Sequence, residues 1–182
     1  FHPQVSAILN ITPDHLNRHH TMENYIKAKE DITKNQGTAD ACVLNYEDEV
    51  LRAFGQTLKT RVIWFSGVQP LEEGLWFDGK SIFIRRDGQT EKVCDISELN
   101  LLGRHNYENV MAAVAISLEL GVPMDSIRGT LRRFTAVEHR IEFVAEKNGV
   151  AYYNDSKGTN PDAAIKGIQA MTRPTWLIGG GY

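Results

Sequence analysis

Short apolar runs and segments of helical spacing alternate along the N-terminal part of the sequence. In a strand the buried side chains form continuous or alternating apolar runs, whereas in an amphipathic helix they recur every three or four residues. On this basis the expected strands are residues 5–10, 39–45 and 61–65, and the expected helices are residues 21–36, ending at Gly37, and 48–59. Strands that alternate with helices are typical of a parallel sheet with right-handed crossovers.

The pattern changes after residue 65, where three short apolar runs follow one another without a helix between them. These runs are residues 75–77, 81–84 and 91–94, separated by Asp78-Gly79 and Asp87-Gly88. Asp-Gly pairs favour two-residue hairpins, because both turn positions take positive φ angles that these residue types tolerate. The sequence therefore predicts a small antiparallel meander attached to the parallel sheet.

Two helices are expected next, and after them the sequence returns to strands. The helices are residues 107–120, ending at Gly121, and a segment that begins at Pro123 and ends near Phe134. A hairpin is then predicted from residues 142–146 and 150–153, with Asn148-Gly149 at its turn. The last expected elements are a helix over 162–171 and a strand over 175–178 that leads into a glycine-rich turn at 179–181.

The return to strands predicts a domain boundary between Ala136 and Arg140. Residues 1–138 are expected to form part of one domain, and residues 139–182 the beginning of a second, Rossmann-like domain. The predicted fold class is α/β, with a mostly parallel sheet, flanking helices and the antiparallel meander.

Composition is that of an ordinary globular protein, with 42% hydrophobic and 24% charged residues among 182. The net charge of −3 suggests neither nucleic-acid nor anionic-membrane binding, and no apolar run approaches the roughly 20 residues that cross a bilayer. Cys42 and Cys94 lie in apolar runs, so we expect two core thiols and a cytoplasmic location. Because the sequence lacks an initiator Met and stops at a glycine-rich segment, we expect a piece of a longer protein.

A dense polar segment, Asn-Asp-Ser-Lys-Gly-Thr-Asn at 154–160, lies between a predicted strand and a predicted helix. In open α/β sheets, ligands bind where the carboxyl end of a strand leads into a helix. The alternative is a capped turn in which Asp155 or Thr159 caps the helix. The sequence leaves both interpretations open.

Asp14 and His15 follow the first predicted strand, where an imidazole could bind a divalent metal or simply lie at the surface. The adjacent His19 and His20 are expected to be solvated. Lys29 lies four residues after Tyr25 on the next predicted helix, so it can share the apolar face of that helix. A buried ammonium there would need a lowered pKa or a covalent change.

Three residues elsewhere suggest either ligand contacts or structural roles. Asn106 is expected to cap the helix that it opens, whereas Asn109, one turn later, is a ligand candidate. Arg140 has a guanidinium that suits phosphate oxygens, or else it forms an interdomain salt bridge. Because the sequence contains no Gly-x-x-x-x-Gly-Lys-Ser/Thr phosphate loop, nucleotide binding is not predicted from that motif.

Five motifs, in this order, resemble those of the Mur ligases, the ATP-dependent amide-forming enzymes of peptidoglycan precursor synthesis. They are Asn-Ile-Thr-Pro-Asp-His at 10–15, Tyr-Ile-Lys-Ala-Lys at 25–29, Leu-Gly-Arg-His-Asn-Tyr-Glu-Asn at 102–109, Glu-His-Arg at 138–140 and the segment 154–160. The resemblance covers nearly the whole chain. Asn17 departs from the family pattern, in which an aspartate is common at this position.

Within the family, the segment 154–160 is similar to that of members that join D-glutamate to UDP-N-acetylmuramoyl-L-alanine through an acyl phosphate. The resemblance implies ATP and Mg²⁺ as cofactors and a cytoplasmic monomer that binds neither nucleic acid nor membrane. It also implies that the uridine-binding domain, the phosphate loop and most of the C-terminal domain lie outside this chain, which is expected to be inactive alone. The alternatives are another member of the family, or a non-catalytic binding module on the same scaffold.

The resemblance also implies a role for each of seven residues. His15 would bind a magnesium ion, and Lys29, carbamylated on its amine, would be a second, carboxylate-like ligand. In the ATP site, Asn109 would bind the adenine, Arg140 the phosphates and Asp155 the ribose hydroxyls. Lys157 and Thr159 would face the substrate and the incoming D-glutamate. The candidate catalytic residues are Lys29, His15 and Lys157.

Overall fold

The computed structural model describes residues 1–180, which form eight strands and six α-helices. The strands are β1 (Val5–Ile8), β2 (Ala41–Asn45), β3 (Arg61–Ser66), β4 (Gly74–Phe77), β5 (Ser81–Arg86), β6 (Gln89–Asp95), β7 (Glu142–Lys147) and β8 (Val150–Asn154). The helices are α1 (Leu16–His19), α2 (Met22–Glu30), α3 (Glu49–Gly55), α4 (Arg104–Glu119), α5 (Met124–Arg133) and α6 (Pro161–Gln169). No helix within this described part is long and apolar enough to cross a membrane.

A six-stranded sheet in the order β1-β2-β3-β4-β5-β6 forms the centre of the fold. Its first four strands are parallel, and β4, β5 and β6 pair antiparallel. The predicted α/β class and the predicted meander are therefore confirmed, and the meander continues the parallel sheet through β4. The strands β7 and β8 form a separate antiparallel hairpin.

Strand β2 is buried along its whole length, because helices cover both faces of the sheet at its centre. Successive side chains of a strand point to opposite faces. Val43 accordingly packs with Met111 of α4 in the larger core cluster. The neighbouring Leu44 packs with Leu51 of α3 in a smaller cluster on the other face. Cys42 belongs to that second cluster, and both cysteines are buried free thiols, as expected.

Helix α2 is shorter than predicted, because it ends at Glu30 and a 3₁₀ turn, Asp31–Thr33, follows it. Its start is as expected, since the Thr21 side chain accepts a hydrogen bond from the Asn24 amide at 3.2 Å. The Thr33 hydroxyl donates to the Glu30 carbonyl, and the Gln36 side-chain amide donates to the carbonyl of Ala41. These polar side chains bond to the backbone and so compete with continuation of the helix to Gly37.

All three predicted hairpins form, and two of them have the expected turn geometry. Asp87-Gly88 and Asn148-Gly149 have positive φ at both positions, as two-residue turns of this kind require. At Asp78-Gly79 only the glycine has a positive φ, 101°. There the Asp78 carboxylate accepts hydrogen bonds from the amides of Lys80 and Ser81, which produces a three-residue loop.

Helix α4 begins at Arg104, three residues earlier than predicted, and its N-cap is Gly103 with φ 90°. Asn106 is therefore not the cap. Its side-chain amide donates to the Leu102 carbonyl at 2.7 Å, which fixes the side chain inside the first turn. Gly121, with φ 79°, follows the end of the helix as expected.

Helix α6 begins at Pro161, and its cap is neither Asp155 nor Thr159. The Asn160 side-chain oxygen accepts the hydrogen bond from the Ala163 amide at 2.8 Å. A proline at the first helical position is favoured, because the amide that it lacks would have had no intrahelical partner.

The predicted strand at 175–178 does not form. A strand needs a neighbour with which to pair its backbone, and within residues 1–180 the nearby strands β7 and β8 pair only with each other. The side chains of Trp176 and Ile178 are 95% and 98% exposed accordingly. Part of the expected glycine-rich turn at 179–181 lies outside the described residues. The predicted domain boundary between Ala136 and Arg140 stays a prediction.

Candidate functional site

A cleft of about 350 Å³ lies where the carboxyl end of β1 faces the first turns of α4 and α6. One wall comes from the loop after β1 and from α2, a second from the start of α4, and a third from the segment 139–167. This is the edge of an open α/β sheet at which ligands are expected.

Lys29 lies in this cleft, half-buried against two neutral partners. Its Nζ donates to the Asn10 carbonyl at 3.2 Å and lies 5.0 Å from the centre of the Tyr25 ring. The prediction that Lys29 shares a face with Tyr25 is therefore confirmed. Among the described residues, no carboxylate forms an ion pair with Lys29, so the amine is held by a carbonyl dipole and a ring face.

The loop after β1 places Asp14 at the cleft and leaves His15 outside its lining. The His15 side chain is 70% exposed, and its Nε2 lies 3.6 Å from the Asp14 carboxylate. Within residues 1–180 no group of three or more His, Cys, Asp or Glu side chains could hold a metal ion. His20 is exposed as expected, but His19 is not fully solvated, because its ring packs on Tyr25 with 5.5 Å between centres.

Two asparagines on α4 line the second wall one helical turn apart. Asn109 is exposed, and its Nδ2 lies 3.4 Å from the Asn106 side-chain oxygen. Asn106 is itself fixed by its bond to the Leu102 carbonyl. The first asparagine therefore orients the second towards the cleft.

Glu108 also lines this wall, although it is not among the site residues predicted from the sequence. Burial raises the pKa of its carboxyl group, and the nearby Lys166 and Arg104 partly offset the rise. The carboxylate lies against Gly67, where an added Cβ would come within 2.5 Å of Oε1. The sequence contains a signal for this burial. Met111 and Ala112, three and four residues later, are core residues, so Glu108 lies on the same face of the helix as they do.

His105 is the other titratable group of α4 at the cleft. Burial lowers the pKa of its imidazole, Lys166 acts in the same direction, and Asp155 and Asp162 oppose the shift. The neutral form of the ring is therefore favoured beside the lysine.

The turn that contains Arg140 has an unusual backbone. His139 and Ile141 have φ angles of 68° and 48°, and a positive φ is a genuine outlier for a β-branched residue. Ile141 is only 7% exposed, and its amide donates to Asp155 Oδ1 at 3.1 Å. The Lys157 amide donates to the His139 carbonyl at 3.0 Å. These two bonds fasten the turn to the loop after β8.

Arg140 lies between these two strained residues, and it is exposed at the cleft. The interdomain salt bridge considered from the sequence is not formed with any carboxylate in the described part of the chain. A guanidinium in this position can receive a phosphate or carboxylate ligand.

The loop after β8 contributes Asp155, Lys157 and Gly158 to the cleft, but Thr159 does not line it. Of the seven residues singled out from the sequence, the structure thus brings five together and leaves two outside. The five are Lys29, Asn109, Arg140, Asp155 and Lys157, and the two are His15 and Thr159.

Asn160 was missed as a site residue, although its neighbours were considered. Besides capping α6, it donates from Nδ2 to Asp14 Oδ2 at 3.3 Å. Sequence reasoning had no signal for this contact, because the two residues lie 146 positions apart.

Comparison with known families gives one match, and it covers all six strands of the main sheet. Residues 1–117 match the Mur ligase middle domain.

Two of the similar relatives are bacterial proteins named UDP-N-acetylmuramoylalanine--D-glutamate ligase. The relative from Lachnoclostridium phytofermentans is 59% identical over 182 residues, and that from Lachnospira eligens is 56% identical over the same length. Each match covers 100% of this chain. The chain spans 40% of the length of either relative.

Solved structures with the same fold include two that are named MurF. The protein from Acinetobacter baumannii superposes with a TM-score of 0.75 over 95% of this chain and 38% of its own, at 22% identity. The ligase from Thermotoga maritima, described in complex with ADP, gives a TM-score of 0.67 over 92% of this chain and 39% of its own, at 23% identity. At these identities the likeness concerns the fold alone.

Proposed function

Because this chain belongs to the Mur ligase family, we propose that the protein it forms part of is an ATP-dependent ligase joining D-glutamate to UDP-N-acetylmuramoyl-L-alanine. The observation that carries the proposal is 59% identity, along the whole chain, to a relative named for that reaction. The proposal includes peptidoglycan precursor synthesis as the context and a cytoplasmic monomer as the working form.

We assign the nucleotide to the walls made by α4 and the segment 139–167. Asn109 would contact the adenine, Arg140 the phosphates and Asp155 the ribose hydroxyls. The geometry supports this assignment, because all three side chains line a single cleft while coming from separate elements. Asp155 has one oxygen, Oδ1, bonded to the Ile141 amide, and its Oδ2, which lies against Gly158 and Gly167, would be the atom that accepts from the ribose.

Lys157 and Thr159 are assigned to the substrate and to D-glutamate. Lys157 is exposed within the cleft, where its ammonium can approach an anionic ligand. Thr159 lies outside the lining, so its role needs a ligand that extends beyond the cleft towards the exposed face of the loop.

The loop after β1 and helix α2 contain the residues that we assign to a magnesium ion. Mg²⁺ is usually bound by one or two carboxylates together with substrate phosphates, so a protein site with few ligands is expected. His15 would bind the ion, and Lys29 would provide a carboxylate-like ligand if its amine were carbamylated. The ion, when bound, would neutralise charge on phosphate oxygens.

The proposed reaction brings two anions together, a substrate carboxylate and the terminal phosphate of ATP. The carboxylate attacks the terminal phosphorus of ATP and ADP leaves, which gives an acyl phosphate. The amine of D-glutamate then attacks the acyl carbon, loses a proton and expels phosphate, which gives the amide. Cationic side chains that are fixed in place stabilise such charge as it develops. Arg140 and Lys157, which both belong to the wall made by the segment 139–167, would supply this charge.

The test is phosphate release by the full-length protein with ATP, UDP-N-acetylmuramoyl-L-alanine and D-glutamate. We expect turnover that requires D-glutamate and falls by at least about 100-fold in Lys29→Ala, the scale of losing a group that stabilises the transition state. Lys27→Ala is the matched control, because Lys27 is an exposed lysine on the same helix. The 182-residue chain alone is expected to show no turnover.

Other results would contradict the proposal in different ways. Turnover with L-lysine, diaminopimelate or D-alanyl-D-alanine in place of D-glutamate would assign the protein to another branch of the family. Absence of turnover with every amino acid would favour a non-catalytic binding module.

A further inference from the structure

We infer that Asn160 is a positioning residue, which sets the separation of two cleft walls through its hydrogen bond to Asp14. The bond joins Nδ2 of Asn160, at the start of α6, to Oδ2 of Asp14, in the loop after β1, at 3.3 Å. Both residues line the cleft. This hydrogen bond therefore joins the two walls directly.

The same side chain also holds the first turn of α6. Asn160 Oδ1 accepts from the Ala163 amide at 2.8 Å, which is the usual capping bond of an asparagine. Because one rigid amide group makes both contacts, the first turn of α6 cannot move away from Asp14 without losing one of them. The cap fixes the side chain, and the fixed side chain presents its donor to Asp14.

The other end of α6 is held against α4. Ala170, just beyond the last helical residue, is 6% exposed. A Cβ added to Gly103 would lie 2.6 Å from the Ala170 Cβ, so the two backbones approach as closely as a glycine allows. The helix is thus fixed at both ends, and the side chains between them, Asp162 and Lys166, face the cleft.

The residue type at position 160 decides whether this bridge forms. A serine can cap the helix but lacks an amide donor that reaches Asp14. An aspartate caps equally well and places a second carboxylate against Asp14. Exchanging the pair, as Asp14→Asn with Asn160→Asp, restores one donor and one acceptor with unchanged charge.

The decisive experiment measures the distance between the walls in the full-length protein. Spin labels at Lys27→Cys and Lys147→Cys report it, because both lysines are exposed, Lys27 lies on α2 in the first wall, and β7 belongs to the hairpin that leads into the Asn160 loop. The two thiols of this chain compete little for the label, since burial raises the pKa of Cys42 and raises that of Cys94 to about 11, and any cysteine elsewhere in the full-length protein is first replaced by serine. Distances are recorded with a non-hydrolysable ATP analogue and Mg²⁺, and with neither.

We expect the short-distance population of the wild type to shrink in Asn160→Ser and further in Asn160→Asp, and to return in the exchanged pair. Asn17→Asp is the charge control, because Asn17 is exposed and makes no hydrogen bond to the described residues. It should leave the distances unchanged. Helical content and thermal midpoint identify any variant that fails to fold. Asn160→Ser retains the cap of α6 and removes only the donor to Asp14, so it tests the bridge in a folded protein.

A kinetic measurement separates positioning from a merely structural role, and this arm rests on the proposed function. Asn160→Ser should raise the KM for ATP by about 2- to 10-fold, the value of one hydrogen bond, with a smaller change in kcat. The exchanged pair should recover part of that loss.

Equal distance distributions in the wild type, Asn160→Ser and Asn160→Asp, under both conditions, would overturn the inference. So would an exchanged pair that stays as open as Asn160→Asp. An inactive wild type would instead remove the proposed function, while the distances would still decide whether Asn160 bridges the walls.

Discussion

At the scale of single residues, Asp155 has two roles: it supports the strained turn at Ile141, and it is a proposed ligand contact. Its Oδ1 accepts the Ile141 amide and thereby holds a β-branched residue at φ 48°, a conformation that costs on the order of 1–3 kcal/mol when unsupported. The neighbouring Arg140 owes its place in the cleft to this strained turn. A ligand that contacts both side chains therefore meets a coupled pair.

This coupling predicts non-additive effects on nucleotide affinity. Asp155→Ala should release the Ile141 turn and displace Arg140, so that Arg140→Ala adds little in the same protein. The double-mutant cycle, read from the Kd for ATP by calorimetry, should show a coupling free energy of at least about 0.5 kcal/mol. Additive losses would mean that the two side chains act independently.

Glu108 gives a pH-dependent prediction. Its pKa in the folded protein is raised above the ordinary value of 4.5. The folded state therefore binds this proton more tightly than the unfolded state does. The protonated carboxyl group stabilises the fold fully below pH 4.5, and this stabilisation is lost as pH rises through the folded pKa. Glu108→Gln should raise the thermal midpoint at pH 7, and the gain should vanish towards pH 4.

The control for this prediction is Glu72→Gln, which removes the same charge from an exposed position. It should change the midpoint little at either pH. A Glu108→Gln protein that is less stable than wild type at pH 7 would show that the ionised carboxylate is favourable in the fold.

Much of the site was predictable residue by residue, but not its internal bonding. Lys29 was found from its spacing to Tyr25, and Arg140 and Asp155 from their motifs. The φ of Ile141 could not be found, because it depends on a carboxylate fourteen residues away rather than on local preference. The hydrogen bond from Asn160 to Asp14 was hidden for the same reason.

At the scale of elements, α3 is tied to the loop after β1 through its cap. Asp48 Oδ1 accepts from the amides of Val50 and Leu51 at 3.0 and 3.1 Å, while Oδ2 accepts from the Ile11 amide at 2.6 Å. One carboxylate therefore starts a helix and anchors the segment that leads to Asp14.

Replacing this cap should destabilise the fold in graded steps. Asp48→Ala should lower the free energy of unfolding by about 1–2 kcal/mol, because a helix cap is lost and the Ile11 amide loses its acceptor. Asp48→Asn should cost less, since it keeps the capping oxygen and loses only the second acceptor. Urea titration measures both, with the exposed Glu49→Ala as control. Equal losses in the two variants would assign the whole effect to the Ile11 contact.

The sequence predicts the elements best where side chains follow one period. The strands β2 and β3 and the helices α4 and α5 were found within three residues of their bounds, because apolar spacing decides them. The predicted helix α2 is too long, because the side chains of Thr33 and Gln36 form hydrogen bonds to the backbone that apolar periodicity does not reveal.

At the scale of the whole molecule, the contact between Gly103 and Ala170 decides how α6 sits on α4. Gly103→Ala should loosen this contact, because the added Cβ meets Ala170 at 2.6 Å and φ is 90°. We expect faster hydrogen exchange in α6. Gly121→Ala is the matched control, since its φ is also positive, 79°, but nothing lies within 4 Å of the added atom.

Equal hydrogen exchange in the two glycine variants would contradict this prediction. It would mean that backbone strain, rather than the lost contact, accounts for any effect.

The missing strand at 175–178 also depends on the whole molecule, because an apolar run becomes a strand only where another strand is available to pair with it.

The distance along the chain between Asp14 and Asn160 has a consequence for biosynthesis. The six strands of the main sheet end at Asp95, whereas the bridging asparagine follows long afterwards. At roughly 5–20 residues per second, a ribosome needs several seconds to extend the chain from Asp95 to Asn160. The nascent protein can therefore complete its sheet while the cleft is still without its third wall, and the ability to capture nucleotide should appear only after the sheet has formed.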